Sequence, residues 1–114
     1  MNNNDCLFCN ISKGIIKSEK VYEDEFCFAI NDIAPSAPMH VLLIPKEHIQ
    51  SLAYATSEKL MGHLMLVAAK IAKDNPIAKA GYRIVINTGE QAGQTVQHLH
   101  IHIISGRPLS WPAG

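Results

Sequence analysis

His98, His100 and His102 occupy alternate positions in one short run of the chain. Alternate side chains of an extended strand share a face. The three imidazoles would therefore form a row, with Leu99, Ile101 and Ile103 on the opposite, apolar side. Neutral imidazoles in such a row can supply metal ligands, or can act as nucleophile, proton donor and orienting group in a transfer reaction. Just upstream, Gly89, Gly93, Gln94 and Thr95 would set backbone N–H groups and one hydroxyl beside the start of that strand. This is a geometry suited to an anion such as phosphate. A second constellation is Cys6-x-x-Cys9. Two thiolates from one turn fill half of a tetrahedral metal site; the other reading is a pair of reduced structural thiols. Cys27 reads as a small core residue of a strand and His63 as a solvated helix residue.

The elements that must position these groups follow from periodicity. A short turn of helix is expected over residues 6–12, then a hairpin of residues 21–23 and 26–31 around Asp24 and Glu25. Val41, Leu42, Leu43 and Ile44, closed by Pro45, are apolar on both faces and predict a central strand covered on both sides. From Ser57 the period changes, because Leu60, Leu64, Val67 and Ile71 recur at helical spacing while Lys59, Lys70, Lys73 and Asp74 form a wet side. Asn75-Pro76 ends that helix. Residues 82–88 and 98–104 alternate again around a glycine-containing loop, residues 89–97. The expectation is an α+β fold, with an antiparallel five-stranded sheet, one long helix on a face and a short N-terminal helix.

Composition bounds the function. At 114 residues and 12.5 kDa the chain is expected to form one domain spanning 1–114. Hydrophobic residues at 47% and charged residues at 18% exclude a disordered or coiled-coil chain. Ten Lys and Arg balance ten Asp and Glu, so no broad basic surface is expected for nucleic acid or anionic membrane. No stretch approaches the ~18 apolar residues of a membrane span. The polar start, residues 1–5, lacks the pattern of a secretory signal, and the cysteine count is odd; both fit a reducing, cytoplasmic location. The tail, residues 106–114, has no period and carries the single tryptophan, Trp111, which a partner subunit could cover.

The run His98-Leu-His-Ile-His-Ile-Ile, preceded by Gly93-Gln94-Thr95, resembles the histidine triad signature, and the likeness extends from about Cys6 to Gly114. Within that family it is most similar to the Hint branch, the purine-nucleoside phosphoramidate hydrolases. Supporting matches are Asn31-Asp32-Ile33, Ala37-Pro38-Met39-His40, Gly81-Tyr82-Arg83 with Asn87, and Trp111-Pro112-Ala113-Gly114. The resemblance implies that His100 attacks the α-phosphorus of an adenosine 5′-phosphoramidate or acyl-adenylate to form a nucleotidyl-histidine that water hydrolyses. It implies that His102 contacts the phosphate and helps protonate the departing amine, with His40 supporting the imidazoles. Asn87, Gly93, Gln94 and Thr95 would bind phosphate, Thr95 standing where relatives often carry serine.

For the nucleoside, the resemblance implies ribose contacts from Asp32 and a base enclosed by Leu7, Phe8, Ile11, Ile16, Ile30 and Ile33. Ile16-Lys17 replaces an Ile-Pro pair common in relatives, which alters the edge of that pocket. Relatives with the N-terminal cysteine pair bind zinc through it, a histidine after the central strand and the first triad histidine, here Cys6, Cys9, His48 and His98. A homodimer, its sheets joined and the tail near the partner's site, is implied as well. Two other outcomes share these motifs: a non-catalytic nucleotide-binding regulatory protein, and a dinucleoside polyphosphate hydrolase.

Overall fold

The computed structural model describes residues 5–114. Most of the polar start read from residues 1–5 therefore lies outside the described residues. Chain order is α1 (Leu7–Ser12), β1 (Lys20–Glu23), β2 (Cys27–Asn31), β3 (Met39–Pro45), α2 (Glu58–Lys73), β4 (Tyr82–Val85) and β5 (Ile101–Ser105). The strands form one antiparallel sheet in the order β1-β2-β3-β5-β4. The connection through α2 carries the chain from the central strand to the far edge, and β5 returns into the gap, so β3 and β5 lie side by side. That adjacency brings His40 and His102 together, since Leu42 pairs with His102 and His40 with Ile104.

Burial of β3 is complete from Met39 to Pro45, as its doubly apolar sequence requires. Its alternation divides the core. Met39, Val41 and Leu43 pack with Leu64, Val67, Ala68 and Ala72 of α2 and with Leu99, Ile101 and Ile103. Leu42 and Ile44 pack on the other face with Cys6, Phe8, Cys9 and Ile11 of the α1 segment. The sheet is thus sandwiched between a long helix and a short one. Because Ile101 and Ile103 belong to the α2 face, the alternating His100 and His102 project toward the α1 face.

Ser57 caps α2 by accepting a hydrogen bond from the Leu60 N–H at 3.0 Å, satisfying a donor the first helical turn leaves free. Asp74 ends it, and Asn75 with Pro76 opens a short 3₁₀ turn, Pro76–Ala80, which the sequence reading did not anticipate. Two strands are shorter than expected. β4 stops at Val85 and β5 starts at Ile101. His98 and His100 therefore precede the regular ladder. Their segment is tied instead by the Leu99 N–H, which donates to the Ile49 carbonyl at 2.6 Å.

His63 is only partly solvated, its side chain 35% exposed. Its Nε2 lies 2.7 Å from Asp24 Oδ2, and Phe26 packs against its ring at 5.3 Å. Asp24 also accepts from the Tyr22 hydroxyl at 2.8 Å and from the N–H groups of Phe26 and Cys27 at 2.7 and 2.9 Å. Although burial works the other way, these donors hold the Asp24 carboxyl far below the usual carboxylate range. The cluster staples α2 to the β1–β2 turn, a tertiary contact that no local pattern announces. Cys27 is fully buried, as its strand position suggested, and burial pushes its thiol up to about 12.

Candidate active site and metal centre

Two groups of imidazoles meet on the α1 face. In the first, backbone partners fix the proton on each ring, because a carbonyl only accepts and an amide N–H only donates. The Ser36 N–H donates to His40 Nδ1 at 2.9 Å, so the His40 proton sits on Nε2. His40 Nε2 lies 2.8 Å from His102 Nδ1, so His102 accepts there and carries its own proton on Nε2. That Nε2 is buried and has no partner among the described residues. It is a hydrogen-bond donor held ready and unused. His100 is set the opposite way. Its Nδ1 donates to the His98 carbonyl at 2.7 Å, which leaves a lone pair on Nε2. The His100 and His102 rings are 5.1 Å apart, so a nucleophilic nitrogen and a proton donor stand side by side.

Asp32 follows β2, and its Oδ2 is 3.4 Å from His40 Nε2. Its Oδ1 accepts from the Ala34 N–H at 2.9 Å, so part of its hydrogen-bonding capacity is spent locally. Val85, the last residue of β4, faces His102, and Asn87 follows two residues beyond the end of that pairing. The loop before the triad is shaped by its own bonds. Gly89 and Gly93 have φ of 88° and 87°, a left-handed backbone that favours glycine. The amides of Gly89, Gly93 and Gln94 are already engaged, donating to Gln94 Oε1, the Glu90 carbonyl and the Gly89 carbonyl. Gln94 Nε2 donates to the carbonyls of Gln50 and Val96. Gly93 and Gln94 thus build the loop, while Thr95 is exposed at its exit. Thr88, which sequence reasoning passed over, keeps a buried hydroxyl with no partner among the described residues.

The residues expected around a base are split. Phe8, Ile11 and Ile30 are buried in the core, whereas Leu7, Ile16 and Ile33 are 43%, 39% and 101% exposed. A single chain therefore presents these three as an open apolar rim. Phe8 packs edge-on against both His98 and His100, at 5.9 and 5.1 Å.

Burial holds His102 at about 4, with the His100 and His40 imidazoles lowering it further and Asp32 acting against them. Unfolding returns the ring to about 6.5. Between those two values the unfolded chain binds a proton that the folded chain refuses. Stability from this group is full above pH 6.5 and is lost as pH falls toward 4. The unfolding free energy of the wild type minus that of His102→Gln, read from urea titrations, should fall by about 1–2 kcal/mol between pH 7 and 4.5, a figure discounted for partial exposure. A difference that stays flat across that range would show that the ring is not held neutral by the fold.

The second group joins Cys6, Cys9, His48 and His98, whose ligand atoms all lie within 4.8 Å of one another. His98 Nε2 donates to the Pro45 carbonyl at 2.8 Å, so Nδ1 turns its lone pair inward. That Nδ1 is 3.2 Å from Cys6 Sγ, 3.6 Å from Cys9 Sγ and 3.2 Å from His48 Nδ1, and Cys9 Sγ is 3.3 Å from His48 Nδ1. A zinc tetrahedron with ordinary bond lengths has edges of about 3.3–3.8 Å. The four donors are the right types at nearly the right separations, with a carbonyl orienting one ring as metal-bound histidines require. Burial holds His98 down at about 4 and, with Cys6 beside it, raises the Cys9 thiol to about 11. Of the triad, only His98 belongs here. Asp32, His40 and His102 also lie within 4.8 Å, but the 2.8 Å contact between the two rings is a direct hydrogen bond that leaves no room for an ion between them.

Comparison with known proteins agrees with the fold. A family model described as HIT domain matches residues 13–109. An uncharacterized HIT-like protein of Synechococcus elongatus is 49% identical, with 96% of this chain and 97% of that protein covered. Among solved structures, a HIT family hydrolase from Legionella pneumophila superposes with a TM-score of 0.93 at 38% identity, covering 96% of this chain and 100% of that one. A zinc-bound histidine triad family protein from Mycobacterium smegmatis gives a TM-score of 0.82 at 34% identity, covering 93% and 78%.

Proposed function

The chain belongs to the HIT domain family, and from that footing we propose that it is a purine-nucleotide phosphoramidate hydrolase of the Hint branch. The observation that carries the reading is the opposed pair of imidazoles, a lone pair on His100 Nε2 beside an unpartnered N–H on His102. The His100 lone pair attacks the α-phosphorus of an adenosine 5′-phosphoramidate, forming a P–N bond to the enzyme as the substrate P–N bond breaks. The departing nitrogen takes a proton from the His102–His40 pair. The anionic phosphoryl group favours protonation of that pair when substrate binds, and Asp32 acts in the same direction on His102. Water then attacks the nucleotidyl-histidine, returning its proton to the pair and releasing the nucleoside monophosphate. Acyl-adenylates fit the same sequence of steps.

Thr95 and Asn87 are assigned to the phosphate oxygens, Asp32 to the ribose, and Leu7, Phe8, Ile33 and their neighbours to the base. This assignment places no permanent cation against the phosphate, in keeping with a chain of zero net charge. Cys6, Cys9, His48 and His98 would hold a zinc ion in a structural role: when bound, it cross-links the α1 turn to the segments that follow β3 and precede β5. Release of adenosine monophosphate from the phosphoramidate tests the reading. Tight nucleotide binding with no P–N cleavage would replace it with a non-catalytic nucleotide-binding role.

We assign a homodimer to the same reading. Leu66 on α2 and Trp111 in the tail are 75% and 83% exposed, and β4 is an edge strand whose unpaired backbone can join a second sheet. Arg83 pins the tail by donating to the carbonyls of Leu109 and Ser110 at 3.1 and 2.9 Å. Light scattering should give twice the chain mass, and Leu66→Glu should lower it toward one; a single-chain mass for the wild type at micromolar concentration removes this part.

A further inference from the structure

We propose that the Cys6, Cys9, His48 and His98 cluster is the positioning device of the His100 nucleophile, with His98 as the shared part. Its ring closes the cluster, and its main-chain carbonyl decides which His100 nitrogen carries the proton. The inference rests on the reading of His100 as nucleophile, and it concerns how that residue is prepared.

The argument starts from where the ladder ends. β5 begins at Ile101, so strand pairing does not hold the His98 carbonyl. Three other contacts do: the His98 ring in the cluster, its Nε2–H on the Pro45 carbonyl, and the Leu99 N–H on the Ile49 carbonyl. The first is the one that a metal ion would make rigid. His98 is fully buried, so close packing resists a rotamer change and passes a shift of its ring on to its backbone. The carbonyl is the acceptor for His100 Nδ1 at 2.7 Å. Loss of that acceptor lets the His100 proton move to Nε2 and removes the lone pair that attacks.

A second strut runs in parallel. Phe8 lies between the two cysteines on α1 and touches both the His98 and His100 rings. α1 is six residues long, too short to be stable by itself. Its place, and that of Phe8, is set by the packing of Phe8 and Ile11 on Leu42 and Ile44 together with what Cys6 and Cys9 are tied to. Both paths converge on one imidazole, so metal occupancy would set the orientation and tautomer of His100 while the rest of the triad stays on the sheet.

The test uses the full chain with ¹⁵N-labelled histidine, prepared with one equivalent of Zn²⁺ and again after removal by a chelator, at one fixed pH. Two-bond ¹H–¹⁵N spectra read the His100 tautomer, and single-turnover kinetics with the phosphoramidate read attack. The loaded protein should show His100 as a single Nδ1–H tautomer. Stripping should give a mixture and slow nucleotidyl transfer by about 10–100-fold, the range seen when groups around a metal ligand are disturbed, with both restored by Zn²⁺. His48→Gln covers the case in which the stripped protein unfolds, because His48 lies outside α1 and the triad; in this variant the Nδ1–H fraction should track metal occupancy across a Zn²⁺ titration. The inference is overturned if His100 keeps one tautomer while occupancy changes and only the melting temperature moves, or if the chain takes up no Zn²⁺. A wild type that cleaves nothing in either form defeats the phosphoramidase reading instead, and the tautomer measurement still answers for the cluster.

Discussion

His100→Ala should lower turnover of an adenosine 5′-phosphoramidate by at least about 10³-fold, and removal of a nucleophile can cost up to about 10⁶-fold. Nucleotide affinity should stay within a few-fold. The size follows from what the side chain contributes. Its Nδ1 proton is committed to the His98 carbonyl at 2.7 Å, so the ring offers substrate one thing, the Nε2 lone pair, and no neighbouring group can offer it instead. His102 presents N–H rather than a lone pair, and His40 is bonded at both nitrogens. Intact-mass spectrometry of quenched wild type should show a nucleotidyl adduct that maps to His100 and is absent from the variant. A variant that retains a tenth of wild-type turnover, or an adduct on another residue, would falsify the assignment. Metal content separates this outcome from a metal role for the triad: His100→Ala should leave it unchanged, since His100 is not among the four clustered donors.

Much of this arrangement was legible in the sequence, and what was not has physical causes. The alternation of histidine with Leu99, Ile101 and Ile103 identified the two faces correctly even though the regular strand starts only at Ile101. Burial of the apolar set sets the pleat, and it persists beyond the ladder's end. The doubly apolar β3 and the helix from Ser57 were equally clear, each being a local pattern with a marked boundary. Tertiary commitments were harder to see. His63 on a helix surface looks solvated until the β1–β2 turn brings Asp24 to within 2.7 Å. Gln94 looks like a phosphate ligand until its amide is found holding Gly89 and Val96 of its own loop and the Gln50 carbonyl beyond it. Ile33 reads as the wall of an enclosed pocket, whereas in a single chain it stands fully exposed on an open rim. A residue type states what a side chain can bind; only the fold shows whether that capacity is already spent. The proton positions on His40, His100 and His102 belong to the same class, because they are dictated by the Ser36 amide and the His98 carbonyl, which carry no side-chain signature.

The second large effect should depend on the leaving group. His102→Gln removes the proton donor that faces the departing atom but keeps a polar side chain of similar reach. With a phosphoramidate the leaving nitrogen is strongly basic and cannot depart without a proton, so the loss in kcat should be about 10²–10⁴-fold, the usual worth of general acid catalysis. With an acyl-adenylate the leaving group is a carboxylate, stable as an anion at neutral pH, and the same variant should lose less than about tenfold. The ratio of the two losses is the measurement, taken from single-turnover rates so that product release does not mask the chemical step. His40→Gln should show the same asymmetry at smaller size, because His40 acts through its 2.8 Å bond to His102 and its neighbour Asp32. Equal losses on both substrates would mean that the His102 N–H serves only to bind a phosphoryl oxygen. The unpartnered Nε2 would then be an anion ligand, and the leaving amine would have to take its proton from water.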